Sequence, residues 1–218
     1  MVKLVRSVLP KDIDIKRPED YQTGHVFDLL YEDCYGKCYI CEQIPTSYVV
    51  EHLVAHKGNP ELQFKWSNMF LACTHCNSVK NKRMFDSGVV DPTEIDPEEC
   101  ISFELQFKEL KEVVIIKSKS DLRNKAVVDL TIKLLDSVYN NKSDRSNQKV
   151  SSSNLKNRLS KNLRDFYLLI ENYKEEKDSS NYSIILDEIS RKSMFAAFKR
   201  MVVRSDNELM RDFEKALE

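Results

Sequence analysis

Two Cys-x-x-Cys pairs, Cys38/Cys41 and Cys73/Cys76, constrain this chain more than any other feature. Four thiols in two such pairs can close a single tetrahedral Zn²⁺ site, which draws both ends of residues 38–76 to one point. The 31 residues between the pairs, 42–72, exceed what a minimal zinc ribbon needs. They carry the dipeptide Glu51–His52 and then Asn68, while Asn77 directly follows the last cysteine. A polar constellation is therefore built inside the clasp.

The thiols read as metal ligands because the chain reads as cytoplasmic. Its first residues, MVKLVRSVLPKDIDIK, hold too short an apolar run for a signal peptide. No stretch approaches the ~20 apolar residues of a membrane span, so no membrane partner is expected. In a reducing compartment paired cysteines bind metal more often than they form disulfides. Cys34 and Cys100 remain as buried or spare thiols. With 218 residues, 41% apolar, 32% charged and only 4 glycines, the chain can pack a core and should be rich in helix. The net charge of −1 excludes a polycation, so any nucleic-acid contact must come from local basic patches.

The expected fold class is α+β, in two regions. Residues 1–90 hold an N-terminal helix and the zinc core; residues 91–218 hold a β-hairpin and a helical extension. Helical spacing of Tyr21, Val26, Leu29 and Leu30 predicts one helix over 18–33, with His25 in it as a surface or satisfied histidine. Tyr35-Gly36-Lys37 is a tight turn delivering Cys38. Residues 47–53, SYVVEHL, read as a strand, and 69–72 as a short apolar strand or turn. From Cys73 to Arg83 a zinc-bound turn opens a helix. Residues 91–99 are an acidic loop, and 100–107 with 112–117 a hairpin. A helix is expected over 121–139 with Ala126, Leu130, Leu134 and Val138 on one face. A polar linker follows at 140–153, then a long amphipathic helix at 154–174. Two further helices are expected near 181–204 and 206–217. Their apolar residues Ile184, Ile185, Leu186, Met194, Phe195 and Phe198 either dock a partner protein or pack on themselves. The basic residues Lys142, Arg145, Lys149, Lys156, Arg158, Lys161 and Arg164 either follow a nucleic-acid backbone or make a solvated helix face.

Histidine, carboxylate and carboxamide together suit phosphodiester hydrolysis. A neutral imidazole can take a proton from water, and a hard divalent ion held by oxygens can neutralise the leaving oxygen. Glu51 and Asn77 offer such oxygens. Neighbouring strand residues point to opposite faces, so Glu51 and His52 converge only if the strand bends or twists there.

On these residues the stretch 38–83 resembles the HNH, or ββα-metal, endonucleases with a structural zinc. The resemblance implies His52 as general base and Glu51 as a ligand of the catalytic ion, Mg or Mn. It implies Asn68 as the residue that orients the histidine through the loop backbone, and Asn77 as the second ligand of that ion. Lys80, one turn beyond Asn77, suits a phosphate contact, and His56 either assists at the phosphate or is structural. His75, inside the second pair, is not needed by a shell that Cys38, Cys41, Cys73 and Cys76 already fill. Further along, the acidic segment, the hairpin and the TIKLLDSVYN helix resemble the PtuB-type HNH proteins of bacterial anti-phage defence, sometimes found beside a retron. That resemblance implies a PtuA-like ATPase partner docked on the C-terminal helices. It also implies a nucleic-acid substrate, DNA first and RNA, including tRNA, second. The competing reading is a non-catalytic zinc-binding assembly module.

Overall fold

In a computed structural model, which describes residues 1–22, 24–108, 111–119, 124–141 and 146–218, the chain is a mixed helix and sheet fold. Among the described residues the sheet is confined to two antiparallel strand pairs. The first joins β1 (Tyr48–His52) to β2 (Met69–Cys73), pairing Tyr48 with Cys73 and His52 with Met69. All five residues of β2 are buried, as befits the apolar run MFLAC. Helix α4 (Thr74–Lys80) leaves β2 directly, with the Cys73 sulfur accepting from the Cys76 N–H at its N-cap. The second pair is β3 (Ile101–Lys108) with β4 (Lys111–Ser118), close to the hairpin that the alternating pattern predicts.

Three expected helices differ. The predicted helix at 18–33 is two, α1 (Glu19–Gln22) and α2 (His25–Asp33). Between them Gly24 takes φ 70°, a conformation that ends the helical path. Between β1 and β2 lies the short helix α3 (Pro60–Gln63), capped by Asn59. Helix α5 (Pro97–Cys100) opens within the acidic loop, capped by Asp96. Helix α6 (Lys125–Asn140) buries Val128, Thr131, Leu134, Leu135, Val138 and Tyr139, while Ala126 stays exposed. The predicted linker at 140–153 is in good part helix. Helix α7 begins at Ser146 and runs unbroken to Glu175. Lys142 and Arg145 lie outside the described residues. The helix expected at 181–204 is split into α8 (Ser179–Ile189) and α9 (Ala196–Arg204), with Phe195 left-handed at φ 54° between them. Helix α10 (Asn207–Phe213) and a 3₁₀ turn end the chain.

One apolar cluster runs from Met1, Val2 and Leu4 through both strand pairs to Leu155, Leu159 and Leu163 of α7 and Phe195–Phe198. It crosses the boundary drawn at residues 90 and 91. The irregular N-terminal segment is fastened to it by Arg6, which donates to the Met69 carbonyl at 2.7 Å and stacks 4.3 Å from the Phe70 ring centre. A second cluster, Phe166, Ile170 and Tyr173 with Ile185, Ile189, Val203, Leu209, Phe213 and Leu217, gathers α7 through α10. Of the C-terminal apolar residues, Ile185, Phe195 and Phe198 are thus buried within the chain, and Ile184 is exposed. Among the described residues no helix is long and apolar enough to cross a membrane.

Candidate metal centre and adjoining polar cavity

The cysteine knuckle is shaped by residues just before and after it. Tyr35 and Gly36 both take positive φ, and the Gly36 N–H donates to the Tyr31 carbonyl. At φ 62° Gly36 suits this turn, and a Cβ there would lie 2.8 Å from the Tyr31 ring, which would have to move. Beyond it the Cys38 N–H donates to Gln43, Glu42 N–H to Cys38, and Tyr39 N–H to Leu71 of β2. The second pair is the first turn of α4. The four sulfurs lie within 4.8 Å of one another, all buried, with Cys41 and Cys73 sulfurs 3.9 Å apart. Tetrahedral zinc with ~2.3 Å bonds to sulfur separates its ligands by about 3.8 Å, so the donor set fits zinc in spacing as well as type. Hydrogen bonds from Cys38, then Cys41 and Cys76, push the Cys73 thiol below the usual range, whereas desolvation pushes Cys41 and Cys76 up. A thiolate-binding cation removes that conflict. His75 is turned away: its Nε2 contacts the Val138 carbonyl at 2.9 Å, tying α4 to α6.

Next to the knuckle, a cavity of about 400 Å³ opens between β1 and α4. Glu51, His52, His56, Asn77 and Lys80 all border it. Glu51 and His52 reach one cavity although the strand register is regular, because β1 ends at His52 and the chain turns away there. The turn is held by Asn68, which is buried. Its Oδ1 accepts from the Val54 N–H at 2.8 Å, and its Nδ2 donates to the carbonyls of Val54 and Leu62. The next carbonyl, Gln63, lies 2.8 Å from His52 Nε2. A carbonyl only accepts, so Nε2 carries the proton and Nδ1 of a neutral His52 keeps its lone pair. Asn68 thus touches no cavity group and acts on His52 through the 62–63 backbone. Burial pushes the His52 pKa down, opposed by its bond to Gln63.

The second histidine has the opposite tautomer. The Gly58 N–H donates to His56 Nδ1 at 3.2 Å, so a neutral His56 holds its proton on Nε2. The two imidazole centres are 4.8 Å apart. Lys80 is not at the surface. Its ammonium, buried, donates to Glu51 Oε1 at 2.6 Å and to the His52 carbonyl at 2.7 Å. Burial pushes the Glu51 carboxyl above its usual range, and Lys80 opposes that. Asn77 is half-buried, and among the described residues its side-chain amide has no hydrogen-bond partner. Asp86, Lys57 and Asn81, which sequence reasoning did not single out, also line the cavity, and Lys57 pairs with Asp86 at its mouth. Their signal in the sequence was slight: a lysine before Gly58 and an aspartate before Ser87.

The oxygen donors suit a hard divalent ion in type, Glu51 supplying a carboxylate and Asn77 an amide oxygen, with water filling the remainder as Mg²⁺ permits. Among the described residues, the cysteine cluster is the one group of three or more His, Cys, Asp or Glu side chains close enough to hold a metal. Of the basic residues on α7, Lys149, Arg158, Lys161 and Arg164 are exposed, while Lys156 donates to the Glu112 carbonyl. No protein-family model matches the sequence, and no curated protein or solved structure is significantly similar to it.

Proposed function

We propose that the chain is a metal-dependent endonuclease of the HNH type with a structural zinc, hydrolysing phosphodiester bonds of nucleic acid, DNA in the first place. The observation that carries the reading is the cavity bordered by Glu51, His52, His56 and Asn77, with His52 fixed in the tautomer that leaves Nδ1 bare. The order β1, β2, α4 and the cysteines at the ends of that unit support it. His52 Nδ1 would take the proton from an attacking water, with Asn68 and Gln63 holding the ring. His56 Nε2–H would donate to a phosphoryl oxygen. Glu51 and Asn77 would hold Mg²⁺ or Mn²⁺, which when bound supplies positive charge for the leaving oxygen. The zinc knuckle would fix α4, and with it Asn77, against β1.

Nicking of supercoiled plasmid and cleavage of RNA, each with Mg²⁺ or Mn²⁺ and with EDTA, test the reading. His52→Ala should reduce the rate at least ~100-fold while the protein stays folded with its zinc content unchanged. Cutting by His52→Ala at the wild-type rate would move the activity elsewhere. A second reading, a non-catalytic zinc-binding assembly module, is favoured by one observation: Lys80 already neutralises Glu51. It predicts no metal-dependent cutting by the wild-type chain. The further expectation, a PtuA-like ATPase partner in anti-phage defence, rests on the resemblance of residues 91–218, and co-purification beside genomic neighbours tests it.

A further inference from the structure

We propose that Lys80 is a tethered cation that competes with a divalent metal ion for the Glu51 carboxylate. The proposal rests on the nuclease reading for the class of ion, a hard oxygen-seeking dication. Lys80 stands three residues beyond Asn77 on α4, so it shares a helix face with the residue that would be the ion's second ligand. Its ammonium has two partners, Glu51 Oε1 and the His52 carbonyl, and almost no contact with solvent. The pair balances one negative charge with one positive. An ion entering on Glu51 and Asn77 brings two more positive charges beside Lys80, in a cleft where water screens poorly. Either the ammonium leaves Oε1 or the ion is held weakly.

The fold gives Lys80 somewhere to go. It is the last residue of α4, on a flexible four-carbon stem, and it borders the same cavity that a phosphodiester would fill. An arriving phosphate offers the ammonium a second anion and frees Glu51 for the ion. Ion and phosphate should then bind cooperatively, and an ion alone should bind poorly. The phosphate contact that the sequence suggests for Lys80 becomes the second position of a residue whose resting partner is Glu51.

The test is Mn²⁺ binding to the zinc-loaded, full-length protein, read from the free-ion signal in electron paramagnetic resonance. Lys80→Met and Lys80→Gln should each bind one Mn²⁺ at least tenfold more tightly than wild type. Adding Glu51→Gln to Lys80→Met should abolish that gain. Unchanged or weaker binding in both lysine variants overturns the proposal, as does a gain that survives Glu51→Gln. Zinc content and melting establish that the variants fold. If neither does, Mg²⁺ titration of wild type followed by NMR of the Lys80 ε-methylene decides. The signal should move in step with ion binding; a signal unmoved at every soluble Mg²⁺ concentration overturns the proposal. These affinities do not depend on turnover. A wild-type protein that cuts nothing sinks the nuclease reading and leaves them intact, whereas unchanged affinities beside an active wild type sink the competition alone.

Discussion

At the scale of single residues, the fold decides protonation more than position. His52 could have been placed in a strand by its neighbours, but its tautomer comes from Gln63, eleven residues on, through a loop that Asn68 fastens. Burial lowers the His52 pKa, so the imidazole stays neutral below the ordinary value of ~6.5. The acid limb of a pH–rate profile should therefore fall below that value and not at it. The same shift has a stability consequence. Between the folded and the unfolded pKa the unfolded chain holds the extra proton, so stability drains as pH falls through ~6.5 and levels off below the folded value. Urea denaturation of wild type and His52→Gln from pH 5 to 8 checks the sign: the glutamine variant should lose this part of the slope. Asn68→Ala should cost about 3 kcal/mol, since it strands one N–H and two carbonyls under the turn. It should also lower the cutting rate with little change in metal dependence. The residues quoted for the site were legible because their types and order are unusual. The Lys80–Glu51 pair was not, because helical spacing places Lys80 near Asn77 but cannot show which strand residue lies across from it.

At the scale of elements, the strands and α4 were legible from β-branched and aromatic runs and from the cysteines that end them. The helices were less so, and α7 shows why. Its first two turns, Ser146 to Ser153, read as linker because serine, asparagine and glutamine carry no apolar stripe. What anchors them is polar contact: buried Gln148 donates to Ser78 of α4 at 3.1 Å, and buried Ser152 to the Val138 carbonyl of α6 at 2.7 Å. The helix there is stabilised by its neighbours and not by propensity, which periodicity cannot see. Ser153 tests this, because its side chain is exposed and only its backbone matters. In a linker Ser153→Pro would be neutral. Inside α7 it removes a helical N–H and clashes with the preceding turn, so it should cost about 3 kcal/mol or more, visible as a lower urea midpoint. The division of the last helices has a comparable origin. Nothing in the composition of 190–195 demands a stop, yet Phe195 turns left-handed so that its ring and Phe198 enter the main core.

At the scale of the whole molecule, the cysteine knuckle and the C-terminal helices are one structure. The Lys37 ammonium, just before the first cysteine, donates to the carbonyls of Arg191 at 2.6 Å and Ser193 at 2.7 Å. Glu42, just after the second, accepts from the Ala197 N–H at the start of α9 and pairs with the Met1 ammonium. Tyr139 of α6 donates its hydroxyl to the Cys41 carbonyl at 3.0 Å. Each of these contacts depends on the backbone path from residue 37 to 42, and that path would be fixed by an ion held between Cys38, Cys41, Cys73 and Cys76. Binding of structural zinc supplies roughly 10–16 kcal/mol in zinc-finger peptides, more than the whole stability of many domains. Removing it should therefore release more than the knuckle. With about one zinc per chain established by elemental analysis, chelation should raise amide hydrogen exchange across residues 37–43 and 73–80. It should raise it equally at residues 197–199, the start of α9, more than a hundred residues away in sequence. Among the described residues Phe166, Ile170, Ile185 and Phe213, which build the second apolar cluster, make no such contact with the knuckle, and they should hold their protection longer. Exchange that rose only around the four cysteines would show a knuckle that folds for itself, with α9 docked on a surface that exists without it.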